Sequence, residues 1–169
     1  MNSAGPDTFG SPCRECGFEW TRPADQMVED MGALVPTLET LLVSATGSES
    51  RAGLDWSITE YVSHVADNLR IWAERLAGAR LGTSARIGSY DQDDLARARH
   101  YEAIPLPASL WSLRQGVAMW VAEVEAATWE ATRLDHPEVG ILEVADVVAL
   151  TAHDSWHHVS DIRGILARA

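Results

Sequence analysis

Apolar residues recur every three or four positions through most of the chain, which predicts helices rather than strands. The first such pattern spans 23–45, and Thr21-Arg22-Pro23 precedes it. Proline is favoured in the first turn of a helix, so this tripeptide marks the helix start. Pro36 lies opposite the apolar stripe, which predicts a helix that is kinked there. The apolar positions of the stripe are Met27, Met31, Leu34, Leu38, Leu41 and Leu42.

Three further helices are predicted along the chain. The second begins with the capping box Ser57-Ile58-Thr59-Glu60 and ends near Gly78. The third covers about 108–131 and the fourth about 142–167, each with its own apolar stripe. Between the third and fourth helices, 134–140 contains a proline and is expected to be a turn. No stretch has a strand pattern that competes with these helices.

Four long helices predict an all-α domain that is an antiparallel four-helix bundle. Residues 79–107 form a long crossover between the second and third helices, in which 97–101 is a candidate short helix. Connections of this length are usually functional or disordered. Residues 1–20 contain Gly, Pro and Ser without a hydrophobic period, and are expected to form an arm outside the bundle of 21–169.

Charge and composition exclude several classes of function. The net charge of −12 repels phosphate backbones, so a nucleic-acid partner is not expected. All 13 basic residues are arginine, which excludes a Schiff-base lysine mechanism. No apolar run reaches the length that spans a bilayer, and the N-terminus lacks a signal-peptide pattern. We therefore expect a cytoplasmic protein that is not bound to a membrane.

The candidate chemistry lies in the fourth helix, where His153 and His157 are four residues apart. This spacing places two imidazoles on one helix face, and such a pair makes half of a metal site. His64 on the second helix is the candidate third ligand, which leaves a fourth position open for water or substrate. His158 is about 100° around the helix from His157 and is expected at the surface or behind the ligands. The alternatives are a surface histidine pair and a core histidine.

Cys13 and Cys16 form a second candidate site, because Gly17 follows them as in one knuckle of a zinc ribbon or rubredoxin-like site. A complete site needs four ligands, which His100, His136 or a symmetry-related copy would have to supply. A redox dithiol and two idle thiols are the alternatives. The arm is expected to fall outside the helical bundle, and it does not supply the three histidine ligands.

Two stretches resemble a known family. Trp56-Ser57-Ile58-Thr59-Glu60-Tyr61-Val62-Ser63-His64-Val65-Ala66-Asp67, followed later by His153-Asp154-Ser155-Trp156-His157-His158-Val159-Ser160-Asp161-Ile162, resembles the DinB-like metal-binding four-helix bundles. The resemblance covers about 23–167. It implies a divalent metal, zinc before nickel or iron, whose ligands are His64, His153 and His157.

That family includes transferases of low-molecular-weight thiols such as mycothiol and bacillithiol. The resemblance therefore implies a metal-bound thiolate, of mycothiol type, that attacks an electrophile. The alternatives are a metal-dependent hydrolase and a non-catalytic, stress-associated metal-binding module. A homodimer is expected, since apolar surfaces of such bundles often pair.

Several side chains are candidates for supporting roles around this site. Three carboxylates could orient the imidazoles, with solvated helix-surface carboxylates as the alternative. These are Asp67, Asp154 and Asp161. The candidate substrate contacts are Tyr61, Tyr90, Arg97, Arg99 and Trp156, and a plain solvated charge run is the alternative for the two arginines.

Overall fold

The computed structural model describes residues 5–82 and 85–167; residues 1–4 of the predicted arm and 83–84 of the predicted crossover lie outside them. The described chain is a four-helix bundle, as predicted. Its helices are α1 (Pro6–Phe9), α2 (Ala24–Gly32), α3 (Leu34–Leu41), α4 (Ile58–Arg80), α5 (Gln92–Arg99), α6 (Leu106–Ala126) and α7 (Val144–Leu166), with a 3-10 turn at Tyr101–Ala103. None of these helices combines the length and apolar character needed to cross a membrane.

The first member of the bundle is two helices rather than one. The chain leaves α2 at Gly32 and enters α3 at Leu34, so the prediction of one continuous helix kinked at Pro36 was wrong. Pro36 has no N–H to donate to the carbonyl of Gly32, which interrupts the hydrogen-bond ladder between the two helices. Proline is tolerated in the first turn of α3, where its missing N–H costs little.

The other long helices lie close to their predicted positions. The capping box at the start of α4 is confirmed, since the Ser57 amide donates to Glu60 Oε2 at 2.8 Å. Helix α6 ends at Ala126, five residues before the predicted end, because Ala127 adopts an extended conformation with ψ 140°. Both ends of α7 fall within two residues of the prediction.

The predicted turn between α6 and α7 is a short antiparallel hairpin of β1 (Arg133–His136) and β2 (Gly140–Glu143). The expectation of no strand was therefore wrong. Leu134 pairs with Leu142, and both side chains are buried. Strands of four residues are too short for an alternating pattern to show in the sequence.

The crossover contains α5 at Gln92–Arg99, which begins earlier than the predicted short helix. Asp67 on α4 is buried and fastens the segment that follows α5. Tyr101 Oη donates to Asp67 Oδ2 at 2.6 Å, and Arg99 Nη1 donates to the same oxygen at 2.7 Å. Arg70 Nη2 donates to Asp67 Oδ1 at 2.7 Å. A buried carboxylate with these charged and hydrogen-bonding partners ties the crossover to α4.

Helices α4 and α6 pack most extensively, and Gly116 of α6 lies directly against the backbone of α4. A Cβ atom at Gly116 would lie 2.8 Å from the carbonyl oxygen of Ala66, which belongs to rigid helical backbone. We expect Gly116→Ala to lower the free energy of unfolding by about 1–3 kcal/mol through overpacking, despite the better helix propensity of alanine. Urea unfolding followed by circular dichroism measures this change.

Gly32→Ala is the matched control, because no atom lies within 4 Å of the added Cβ. Its free energy of unfolding should equal or slightly exceed that of the unchanged protein. A Gly116→Ala protein as stable as the Gly32→Ala protein would contradict the close packing of α4 on α6.

Candidate metal centres

Helix α7 carries two pairs of potential ligands, each spaced by four residues: His153 with His157, and Asp154 with His158. The second pair is offset from the first by one residue, or about 100° around the helix. The two pairs therefore face different neighbours. Two groups of potential metal ligands result, side by side on one turn of α7.

The first group consists of His64, Asp154 and His158, whose ligand atoms all lie within 4.8 Å of one another. His64 reaches the group from α4, where its side chain is buried. Its Nε2 is 3.5 Å from Asp154 Oδ2, and His158 Nε2 is 3.6 Å from Asp154 Oδ1. The group offers two imidazoles and one carboxylate from two facing helices.

Neighbouring side chains hold this group in place. His158 Nδ1 donates to Asp161 Oδ2 at 2.9 Å, which directs Nε2 of the same ring toward Asp154. Asn68 Nδ2 donates to Asp154 Oδ2 at 2.8 Å, and Tyr90 Oη donates to Asn68 Oδ1 at 3.2 Å. A hydrogen-bonded chain thus runs from the crossover through α4 to the carboxylate on α7.

The charges of the first group depend on one another. Burial by itself would raise the pKa of Asp154, but His64 and then His158 outweigh it and hold the pKa well below its ordinary value. Burial likewise opposes the charge on His158, but Asp154 and Asp161 outweigh it and raise the pKa of His158 to about 9. The group is therefore built around a negative Asp154 that attracts positive charge.

The second group consists of Cys13, Cys16, His153 and His157, and again the ligand atoms lie within 4.8 Å of one another. Cys13 Sγ is 3.8 Å from His157 Nδ1, and both cysteines are free thiols. His157 Nε2 is 3.2 Å from Glu15 Oε2. The group joins the N-terminal segment to α7.

Burial favours the uncharged form of two members of the second group, His153 and Cys16. Burial, and after it the charge of the nearby His157, lowers the pKa of His153 to about 4. Burial also raises the pKa of the Cys16 thiol to about 11, against the hydrogen bond from the backbone of Phe18. A neutral imidazole is the form that binds metal.

The N-terminal segment, which the sequence places in an arm outside the helical bundle, lies against α7. Cys13 is buried, and the His153 ring is flanked by Phe9 and Trp20, with ring centroids 4.7 and 4.3 Å away. The histidines expected to complete the cysteine site lie elsewhere: His100 is exposed beside Glu102, and the ring of His136 stacks over Trp72. The complement of the cysteine pair is His153 and His157.

The structure also groups the predicted histidines differently. It places His153 and His157 together, as their spacing predicts, but it places His64 with Asp154 and His158. The three-histidine set stays a prediction. Sequence reasoning missed His158 as a candidate ligand, although its spacing from Asp154 equals that of His153 from His157.

Several of the predicted supporting residues have contacts other than those predicted from the sequence. Asp161 contacts the imidazole of His158, whereas Asp154 is itself a candidate ligand. The contacts of Asp67 are with the crossover and Arg70, so Arg99 is already paired with a carboxylate.

The predicted substrate contacts are also placed by the structure. Arg97 pairs with Asp94 at the surface, and the ring of Tyr61 packs 5.0 Å from that of His158. Of the aromatic candidates, Tyr90 lines a large cavity and Trp156 does not.

This cavity has a volume of about 910 Å³ and is bounded by α4, α7, the crossover, the hairpin and the N-terminal segment. Both groups of potential ligands reach its wall. Arg75 is a further wall residue, with its guanidinium carbon 4.6 Å from the centre of the Trp72 ring and 5.6 Å from that of Tyr90. Within 5–82 and 85–167, no carboxylate lies within ion-pairing distance of Arg75.

Comparisons with known proteins agree with this fold. The family model of the DinB superfamily matches residues 19–162, so the chain belongs to the DinB superfamily. Among solved structures, YfiT from Bacillus subtilis superimposes with a TM-score of 0.75 at 20% sequence identity, over 86% of each chain. YfiT is described as a probable metal-dependent hydrolase with an unusual four-helix bundle topology. No curated protein sequence matches the chain significantly.

Proposed function

We propose that this protein is a metal-dependent enzyme whose divalent metal is held by His64, Asp154 and His158. The observation that carries the proposal is the buried Nε2 of His64, which has no hydrogen-bond partner within the described chain and lies beside a carboxylate. Buried imidazole nitrogens are normally satisfied, so this atom is suited to a ligand. Two nitrogens and one carboxylate oxygen suit zinc, nickel or iron.

Three protein ligands are the arrangement of a catalytic site, because coordination positions remain for water or substrate. A divalent metal bound there would stabilise the deprotonated form of a thiol or of water. Asp161 accepts a hydrogen bond from His158 Nδ1, so Nε2 is the nitrogen that would lose its proton to a metal, and Asn68 donates to the Asp154 carboxylate. These contacts keep the ligand atoms oriented toward the cavity without a rearrangement of the bundle.

Within this class we propose transfer of a low-molecular-weight thiol, of mycothiol type, to a small electrophile. The cavity supports this, since 910 Å³ accommodates a cosubstrate of drug size rather than water alone. Trp72 offers an apolar surface, and Arg75, which donates to the Gly88 carbonyl but has no carboxylate partner among the described residues, offers a cation for a substrate carboxylate or phosphate. Hydrolysis is the second candidate, and the observation that favours it is the description of YfiT as a probable metal-dependent hydrolase.

Metal-loaded protein should consume free thiol in the presence of a general electrophile such as monobromobimane. The assay compares mycothiol, bacillithiol, glutathione and cysteine, and a parallel assay follows ester hydrolysis without thiol. We expect His64→Gln to lower the thiol-transfer rate by more than about 100-fold, beyond the 10- to 100-fold typical of losing an outer hydrogen-bond partner.

His100→Asn is the matched control, because His100 is exposed and has a left-handed backbone that asparagine tolerates. Its rate should equal that of the unchanged protein. Equal rates for the His64→Gln and His100→Asn proteins would refute catalysis at this group. Ester hydrolysis without thiol consumption would favour the second candidate.

Asp161→Asn should weaken metal binding at this group by about 10- to 100-fold, since it replaces the carboxylate that orients His158. Competition with a coloured chelator measures the affinity. Glu125→Gln removes an exposed charge on α6 and should leave the affinity unchanged. Equal affinities for the two variants would show that Asp161 does not act on the metal.

We also propose that the protein works in the cytoplasm as a homodimer. Size-exclusion chromatography coupled to light scattering tests the dimer, and a monomer at micromolar concentration would contradict it.

A further inference from the structure

The second group of ligands shares no residue with the proposed catalytic group and has a different composition. We propose that Cys13, Cys16, His153 and His157 bind a zinc ion that fastens the N-terminal segment to α7. This second metal site does not depend on the proposed enzymatic activity. Its support is the chemistry, spacing and burial of the four side chains.

The donor set is the first support. Two thiols and two imidazoles are the ligands of Cys₂His₂ zinc sites, and thiolates select zinc over magnesium or calcium. A tetrahedral zinc ion with Zn–S of about 2.3 Å and Zn–N of about 2.0 Å requires donor atoms roughly 3.3–3.8 Å apart. Cys13 Sγ and His157 Nδ1 are 3.8 Å apart, and all four donor atoms lie within 4.8 Å of one another. Small side-chain rotations therefore suffice to complete the tetrahedron.

The second support is an imidazole nitrogen that lacks a partner. His153 is 5% exposed, and its buried Nε2 has no hydrogen-bond partner within residues 5–82 and 85–167. A buried polar atom without a partner loses its hydration and gains nothing in return. The surrounding rings of Phe9 and Phe18 have no hydrogen-bonding group, and the indole N–H of Trp20 already donates to the Gly10 carbonyl at 2.9 Å, whereas a metal ion can bind that nitrogen.

The third support is the orientation of His157. Its Nε2 faces the carboxylate of Glu15 at 3.2 Å, while its Nδ1 faces Cys13. Donation from Nε2 to Glu15 leaves the Nδ1 lone pair free and directed at the cysteines. Glu15 lies between the two cysteines in the chain, so one short segment supplies both thiols and the carboxylate that orients the imidazole.

The backbone of this segment brings the two thiols to the same side. Gly17 N donates to the Cys13 carbonyl at 2.9 Å, and Cys13 N donates to the Phe18 carbonyl at 2.9 Å. Gly17 has φ +76°, a conformation that side chains disfavour, so the turn requires glycine here. The cysteine spacing and the following glycine thus form a knuckle whose open side faces α7.

A metal held by four protein side chains has no position for substrate, so this zinc is structural. Its place in the fold gives it a second consequence. Thr8 and Phe9, just before the knuckle, line the 910 Å³ cavity. Zinc binding therefore fixes one wall of the cavity as well as the N-terminal segment.

Cobalt substitution of the full-length, reduced protein tests the site directly. Thiolate ligands give Co²⁺ intense charge-transfer absorption in the near ultraviolet, and histidine or carboxylate ligands do not. We expect this absorption in the unchanged protein and its loss in the Cys13→Ser/Cys16→Ser double variant. Zinc measured by mass spectrometry should fall by one equivalent per chain in the same variant.

Two further variants separate this site from the proposed catalytic one. His64→Gln should keep the thiolate absorption, and His136→Gln should keep both the absorption and the zinc content. If the double cysteine variant does not fold, titration of the unchanged protein with a mercurial decides, because modification of two thiols should release one zinc ion. The proposal is overturned if the reduced, cobalt-loaded protein shows no thiolate absorption. It is also overturned if mercurial modification releases no zinc, as for a free dithiol or a disulfide.

Discussion

The periodicity of α7 determines which groups of potential metal ligands can form beside the cavity. In α7, side chains four residues apart share a face, and the neighbouring residue of each lies about 100° away. The segment from His153 to His158 carries potential ligands on both faces. Each pair of ligands must therefore be completed by residues from a different part of the chain. Helix α4 supplies His64 for one face, and the N-terminal knuckle supplies two cysteines for the other. The rings of His157 and His158 are perpendicular with centroids 5.8 Å apart, so the two groups are neighbours.

The rest of the fold places these complements at the right distance. Gly116 lets α6 approach α4 until backbone nearly touches backbone, which anchors α4 firmly in the bundle. Next to this contact in the sequence, Asp67 ties the crossover to α4 through Tyr101 and Arg99. That attachment brings Tyr90 within reach of Asn68 and, through it, of Asp154. The orientation of one carboxylate on α7 thus depends on packing along the whole of α4.

The sequence predicts the bundle well because its signals are local: apolar periodicity and the capping box at Ser57 both act within a few residues. The split at Gly32 and the hairpin at Leu134 were missed, since one depends on a single absent hydrogen bond and the other on strands of four residues. The ligand groups could be predicted only in part. The spacing of His153 and His157 shows that they share a face, but which residues lie opposite depends on the rotation of α7 in the bundle. That rotation is set by long-range packing and assigns His64 to Asp154 and His158.

The composition of the two groups makes chemical sense if both bind a divalent ion. Two thiolates neutralise a Zn²⁺ ion in the cysteine group, so that centre carries no net charge. A divalent ion held by His64, Asp154 and His158 would keep a net charge of +1, because only one of these ligands is negative. That positive charge would stabilise a bound thiolate or hydroxide. Two net positive centres this close would repel each other in the low dielectric of a buried site. A neutral structural centre avoids that repulsion. Such a centre could lie against the proposed catalytic group and hold the wall of the cavity without weakening metal binding there.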